Sequence, residues 1–93
     1  MERMLGVDYG VARTGIAVTD ALGMMAQGVG TIHSGKTEKV LQSVLEYAKE
    51  YGVGVIVIGL PKNMNNTIGE RGEACLAFGE LLKQHTDCEV VMW

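Results

Sequence analysis

The strongest constraint on the fold is a nearly continuous run of apolar, mostly β-branched residues at positions 53–60, which directly follows a helical pattern. Between Thr37 and Gly52 the apolar residues recur at helical spacing, with Thr37 as the predicted N-cap and Gly52 as the predicted stop. The apolar run predicts a central strand that is covered on both faces. A helix that leads directly into such a strand implies a right-handed crossover, and therefore an α/β fold.

Shorter patterns predict the other elements. Strands at residues 4–9 and 15–19, joined by a tight turn over residues 10–13, form an antiparallel hairpin. Glycines inside strand patterns, such as Gly28 and Gly30, predict β-bulges or close backbone approach. The remaining predicted elements are a strand at residues 25–33, a helix at about residues 69–84 and a strand at residues 89–93.

Length and composition exclude several classes of protein. With 93 residues the chain forms one domain at most, and 47% hydrophobic and 20% charged residues are ordinary for a globular protein. The net charge of -3 argues against a strongly basic nucleic-acid binder, but it is compatible with an enzyme whose acidic residues hold metal ions against phosphates. Cys75 and Cys88 lack metal-ligand spacing, which predicts reduced thiols. With no signal peptide or membrane-spanning run in the sequence, we expect a cytoplasmic protein.

Asp8 is the main candidate for a functional side chain. It lies in an apolar strand, directly before a glycine turn. An ionised carboxylate in such a strand is costly unless it faces a cation, a polar partner or solvent, so Asp8 is a candidate catalytic group and metal ligand. The alternative is that Asp8 only caps the strand by accepting hydrogen bonds from the turn amides.

A polar loop at residues 61–67 follows the central strand. In α/β sheets the loops at the carboxyl ends of the strands form the ligand sites. Lys62, Asn63 and Thr67 supply hydrogen-bond donors suited to phosphate and sugar groups. The alternative is an ordinary solvated loop.

Several segments together resemble the YqgF family, the Holliday-junction-resolvase-like proteins with a ribonuclease-H-like fold that are also assigned as nucleases maturing the 5′ end of 16S ribosomal RNA. The aspartate-glycine hairpin alone also opens the sugar-kinase, Hsp70 and actin superfamily, but the Gly-Leu-Pro-x-Asn-Met segment at this spacing makes the resemblance specific. The segments that carry it are Leu5-Gly6-Val7-Asp8-Tyr9-Gly10, Arg13-Thr14-Gly15-Ile16-Ala17-Val18-Thr19-Asp20, Gly59-Leu60-Pro61-Lys62-Asn63-Met64, Thr67, Gly69-Glu70-Arg71 and Val90-Val91-Met92-Trp93.

The resemblance implies a mixed sheet with helices on its faces and a cluster of carboxylates that holds Mg²⁺ or Mn²⁺. Asp8 matches the acidic ligand on the family's first strand. In the family an Asp-Glu-Arg segment and a later aspartate follow the strand that here ends at Trp93. We therefore expect residues 1–93 to form a single incomplete ribonuclease-H-like domain, with its C-terminal part missing, that is inactive by itself.

The same resemblance implies a nucleic-acid partner, either pre-ribosomal RNA or branched DNA. Each candidate contact also has a structural alternative. Gly10 would serve a tight hairpin turn equally well, Arg13 could pair with Asp20 or Glu2, and Arg71 could pair with neighbouring glutamates. The predicted nucleic-acid-binding residues are Gly10, Arg13, Lys62, Asn63, Thr67 and Arg71.

Two other functions fit parts of the sequence. The apolar strand that ends at Trp93 would be an exposed edge, which predicts a homodimer, a domain-swapped dimer, or a non-catalytic half-domain or interaction module completed by a partner chain. An actin-like or Hsp70-like ATPase would use the aspartate-glycine hairpin to bind nucleotide phosphates. Such ATPases need two domains and a cleft between them, and 93 residues are too few for both.

Overall fold

A computed structural model describes residues 3–20 and 25–93 of the chain. These residues form a five-stranded sheet and two helices, an α/β architecture as predicted. In chain order the elements are β1 (Met4–Tyr9), β2 (Thr14–Thr19), β3 (Ala26–Ile32), α1 (Thr37–Tyr51), β4 (Val55–Ile58), α2 (Glu70–Lys83) and β5 (Glu89–Met92).

The sheet is mixed, with strand order β3-β2-β1-β4-β5. Strand β1 pairs antiparallel with β2, which pairs antiparallel with β3, so the predicted hairpin is confirmed. Strands β1, β4 and β5 pair in parallel. The carboxyl ends of these three strands therefore lie at one edge of the sheet, which we call the carboxyl edge.

Several element ends differ from the prediction by one or two residues, and α1 and β4 show the physical reason. Helix α1 has Lys36 as its N-cap, without a side-chain cap bond, and Thr37 is its first helical residue. Its C-cap is Gly52, as predicted, in the left-handed conformation with a φ of 60°. The amide of Val53 donates to the Ala48 carbonyl of the helix end at 3.1 Å, so β4 starts only at Val55.

Both helices pack on the same face of the sheet. A Cβ at Gly30 of β3 would collide with the Tyr47 hydroxyl of α1, and Gly79 of α2 lies against Ile58 of β4. The strand residues Gly30 and Ile58 both belong to the face of the sheet that carries Val7, which we call the helix face. The prediction that β4 is covered on both faces is therefore wrong for the described residues, where helices cover one face of the sheet only.

The core lies between the sheet and the two helices. Within β1 the side chains alternate, because successive residues of a strand point to opposite faces. The strand registers place the same alternation on its neighbours. The buried apolar residues are Leu5, Val7, Ile16, Val18, Ile32, Val40, Leu41, Val44, Ala48, Val53, Ile56, Ile58, Cys75, Phe78 and Leu82.

The other face of the sheet, which we call the open face, carries small side chains over β1, β2 and β3. A Cβ placed at Gly28 would have no heavy atom within 4 Å. The register between β2 and β3 shifts between Ile16 and Ala17, which leaves Val29 as the extra residue of a β-bulge between Gly28 and Gly30. The predicted bulge at these two glycines is thus confirmed.

Strand β5 lies at the edge of the sheet, and the Trp93 side chain that follows it is 85% exposed. The prediction of an exposed apolar edge is therefore confirmed. Cys75 and Cys88 are both free thiols. Neither α1 nor α2 combines the length and apolarity that a membrane-spanning helix requires.

We expect Gly10→Ala to destabilise the protein by about 1–3 kcal/mol, because a Cβ at position 10 would collide with the Arg13 carbonyl oxygen inside the turn. Gly28→Ala is the matched control, since nothing lies within 4 Å of its added methyl group. The control should change stability by less than about 0.5 kcal/mol. Urea unfolding of the two variants measures both values, and equal stabilities would contradict this account of the turn.

Candidate functional site at the carboxyl edge of the sheet

The carboxyl edge is assembled by main-chain hydrogen bonds between three strand ends. The Gly59 amide donates to the Val7 carbonyl at 3.2 Å, which aligns the ends of β4 and β1. The Trp93 amide donates to the Ile58 carbonyl at 2.9 Å, and the Leu60 amide donates to the Trp93 carbonyl at 2.7 Å. The polar loop after β4 and the turn after β1 therefore leave the sheet side by side.

Asp8 lies on the open face at this edge. Its side chain is exposed, and its cross-strand neighbour is Gly15, where a Cβ would lie 3.8 Å from the Asp8 Cβ. A shallow groove of about 560 Å³ runs over these two residues to Trp93. Within the described residues the carboxylate has no hydrogen bond or ion pair, so the alternative that Asp8 caps the turn amides is wrong.

The donor set at Asp8 does not amount to a metal site by itself. In residues 3–20 and 25–93 no three His, Cys, Asp or Glu side chains come together as ligands for one ion. A pair of divalent ions on a phosphodiester requires several carboxylates. Asp8 can supply one oxygen ligand, and the described residues do not supply the others.

The turn between β1 and β2 contains two of the predicted nucleic-acid contacts. Gly10 is required by the turn itself, because a side chain there would strike the Arg13 carbonyl. Arg13 is exposed, directly before β2. Asp20 follows the other end of β2, about 20 Å away along the strand, so an Arg13–Asp20 pair does not fit the sheet. Glu2 lies outside the described residues.

The polar loop is closed by its own side chains. The Asn63 side-chain amide donates to the Thr67 hydroxyl at 3.1 Å, and that hydroxyl donates to the Asn65 Oδ1 at 2.6 Å. The main-chain amide of Asn63 donates to the main-chain carbonyl of Thr67 at 2.8 Å. Asn63 and Thr67 therefore shape the loop, while the exposed Lys62 lies next to them. Whether they also contact nucleic acid stays a prediction.

Arg71 points into the molecule. Its Nη2 donates to the Tyr9 carbonyl at 2.6 Å, and its guanidinium carbon lies 5.4 Å from the centroid of the Tyr9 ring. The ion pair found among the described residues is Lys83–Glu80, so the predicted alternative, pairing of Arg71 with neighbouring glutamates, is not what the structure shows.

Tyr9 is a residue that the sequence patterns did not single out. Its ring stacks on Phe78 with the centroids 4.2 Å apart, and its hydroxyl lies 3.3 Å from the Thr37 hydroxyl. It follows Asp8 and faces the helices, as the period of the strand requires. That parity was the one signal in the sequence that could have identified it.

Cys75 lies beside this group, with its thiol 3.9 Å from the Tyr9 carbonyl. Burial raises the pKa of the Cys75 thiol. The Arg71 guanidinium lowers this pKa and the Asp8 carboxylate raises it, each by less than burial does. The thiol is therefore neutral near pH 7 and responds to the charges of both site residues.

The predicted site residues all lie at the carboxyl edge, in three segments of the chain. The exposed Asp8 carboxylate lies on the open face, and the exposed side chains of Arg13 and Lys62 lie in the adjoining loops. The Arg71 guanidinium contacts Tyr9. The residues in question are Asp8, Gly10, Arg13, Lys62, Asn63, Thr67 and Arg71.

A mixed sheet of this order with a carboxylate at the end of its first strand defines an α/β protein of the ribonuclease-H-like fold. The structure of Thermus thermophilus RuvC in complex with a Holliday junction substrate is similar to this chain, with a TM-score of 0.70 and 13% identity. The match covers 100% of this chain and 64% of the RuvC chain. At this identity the likeness shows the fold alone. A family model described as RuvX, Holliday junction resolvase, matches residues 2–93, and the chain belongs to that family.

The curated relatives agree with the family. A Clostridium beijerinckii protein named "Putative pre-16S rRNA nuclease" is 45% identical over 91 residues, which are 98% of this chain and 66% of that protein. The chain thus spans about two thirds of the length of this relative. The resemblance to the resolvase-like YqgF nucleases is confirmed.

The rival class shares the fold. A Bacteroides thetaiotaomicron protein with an actin-like ATPase fold matches 99% of this chain and 32% of that chain, with a TM-score of 0.55 and 10% identity. This likeness explains why the aspartate-glycine hairpin alone does not separate the two classes. The family match, which covers nearly the whole chain, separates them.

We expect alkylation of Cys75 to report the charges of the site. In a Cys88→Ser background, the pH midpoint of the reaction with iodoacetamide should lie above that of free cysteine, because burial raises the pKa of the thiol. Asp8→Asn should lower the midpoint, since the carboxylate raises this pKa. Asp87→Asn is the control. A midpoint at or below that of free cysteine would contradict the buried placement of Cys75.

Proposed function

We propose that the protein is a metal-dependent nuclease that hydrolyses phosphodiester bonds in structured nucleic acid. The observation that carries the proposal is the exposed Asp8 carboxylate, which has no partner among the described residues and lies at the carboxyl edge of a ribonuclease-H-like sheet. The relatives named as nucleases and the resolvase family model support the same activity.

Five side chains at the carboxyl edge have proposed roles in this activity. Asp8 supplies one oxygen ligand to Mg²⁺ or Mn²⁺, which when bound lowers the pKa of a water and offsets phosphate charge. Arg13 and Lys62 contact phosphate oxygens from the two loops beside it, Arg13 with a fork geometry suited to two oxygens. Asn63 and Thr67 hold the loop in the shape that presents Lys62.

The substrate is either the 5′ end of pre-16S ribosomal RNA or a branched DNA junction. The name of the Clostridium beijerinckii relative supports the RNA, and the family description supports the junction. The two free thiols, Cys75 and Cys88, agree with a reducing, cytoplasmic setting.

We propose that residues 1–93 are one incomplete domain and are inactive by themselves. At the site the described residues provide one carboxylate, that of Asp8, and about a third of the Clostridium beijerinckii relative lies outside the matched region. The missing ligands would come from that third.

Asp8→Asn tests the activity. The assay uses a chimera of this chain with the part of the Clostridium beijerinckii relative that it does not match, and measures Mn²⁺-dependent cleavage of an RNA hairpin and of a four-way DNA junction. Asp8→Asn should lower kcat by about 1,000-fold or more with an unchanged melting temperature, because the carboxylate is exposed and forms no hydrogen bond or ion pair with the described residues. Asp87→Asn, an exposed aspartate at the opposite edge of the sheet, is the matched control. Full activity in Asp8→Asn would contradict the proposal.

A second candidate is a non-catalytic half-domain that associates through β5. The observations in its favour are the edge position of β5 and the exposed Trp93. If this candidate holds, the chain should sediment as a dimer, and Val91→Lys should make it monomeric, because a charge on an edge strand opposes strand pairing. Val11→Lys, at an exposed apolar residue in the β1–β2 turn, is the control. A monomer at all concentrations would contradict this candidate.

A further inference from the structure

Tyr9 joins the end of β1 to both helices. Its ring lies parallel to the Phe78 ring of α2, with 4.2 Å between the centroids and 8° between the planes. Its hydroxyl lies 3.3 Å from the hydroxyl of Thr37, the first residue of α1. The last residue of β1 is therefore held between the two helices, one position after Asp8.

Arg71 holds the same residue by two further contacts. Its Nη2 donates a hydrogen bond to the Tyr9 carbonyl at 2.6 Å, and a hydrogen bond from a charged donor is stronger than one between neutral groups. Its guanidinium lies over the Tyr9 ring, 5.4 Å from the centroid, within the range of a cation–π contact. Phe78 stacks on the same ring, so Tyr9 is fixed by two residues of α2.

We propose that Arg71 is a positioning residue for Asp8. The Tyr9 carbonyl is one residue away from the Asp8 Cα, and successive side chains of a strand are fixed on opposite faces. Fixing the Tyr9 carbonyl, and the Tyr9 ring on the helix face, therefore holds the Asp8 carboxylate in one direction on the open face. This inference rests on the proposed nuclease function, and it gives Arg71 a role other than the phosphate contact expected from the sequence.

The geometry also explains why this position suits arginine. A guanidinium is planar, so it can donate to a carbonyl and stack on a ring at the same time. A lysine ammonium keeps the charge but has no planar face. Arg71→Lys therefore separates the effect of the positive charge from the effect of the combined hydrogen bond and ring contact with Tyr9.

The first experiment needs no activity. Amide hydrogen exchange is measured on the 93-residue chain, on Arg71→Ala and on Lys83→Ala. Lys83→Ala is the control because Lys83 belongs to the same helix but forms its ion pair with Glu80. Arg71→Ala should raise exchange of the amides at residues 8–15 about tenfold relative to those of β4 and β5, and the control should not. Unchanged exchange, or a uniform rise that follows a lower melting temperature, would overturn the proposal.

The second experiment separates positioning from phosphate binding in the active, extended protein. Arg71→Ala and Arg71→Lys should both lower kcat at least tenfold and leave KM and its salt dependence unchanged. A KM that rises in Arg71→Ala, with a salt slope reduced by about one and recovery in Arg71→Lys, would assign Arg71 to a phosphate and overturn the proposal. If the wild-type protein shows no cleavage, the proposed function fails alone, because the exchange experiment still decides the role of Arg71.

Discussion

The two-residue period of β1 is the constraint on which the site depends. It places Leu5, Val7 and Tyr9 on the helix face and Asp8 on the open face. A register slip of one residue would bury the Asp8 carboxylate and expose the core side chains of Leu5 and Val7, and both changes would destabilise the fold. The apolar core therefore keeps Asp8 exposed.

The two helices fix the orientation of the end of β1. Tyr9 is the point where α1, α2 and β1 meet, through Thr37, Phe78 and Arg71. The open face has no comparable packing in the described residues, and its floor is formed by small residues such as Gly15 and Gly28. The packed residues thus lie on the helix face of β1 and the free space lies on the side of the Asp8 carboxylate, which suits the proposed contact with nucleic acid.

Local patterns were sufficient for most of the fold. The bounds of β1, the antiparallel hairpin and the stop of α1 at Gly52 follow from alternation, turn residues and the left-handed preference of glycine. Contacts between distant residues were not predictable in this way. Arg71 and Tyr9 are 62 positions apart, and nothing in the helical pattern of α2 shows that the guanidinium turns inward to a main-chain carbonyl. The local pattern assigned Thr37 as the N-cap of α1. It could not show the contact with a distant residue that the structure has, in which the Thr37 hydroxyl lies beside the Tyr9 hydroxyl.

The most direct test of the account is a titration of the ¹⁵N-labelled chain with a structured RNA hairpin, followed by amide chemical shifts. The account predicts that the shifts concentrate at the carboxyl edge, in the turn after Asp8 and in the loop of residues 61–67. It also predicts that the side-chain Nε–H signal of Arg71 keeps its position, because its guanidinium is engaged with Tyr9. Shifts confined to the amino ends of the parallel strands or to the outer surfaces of α1 and α2 would contradict it.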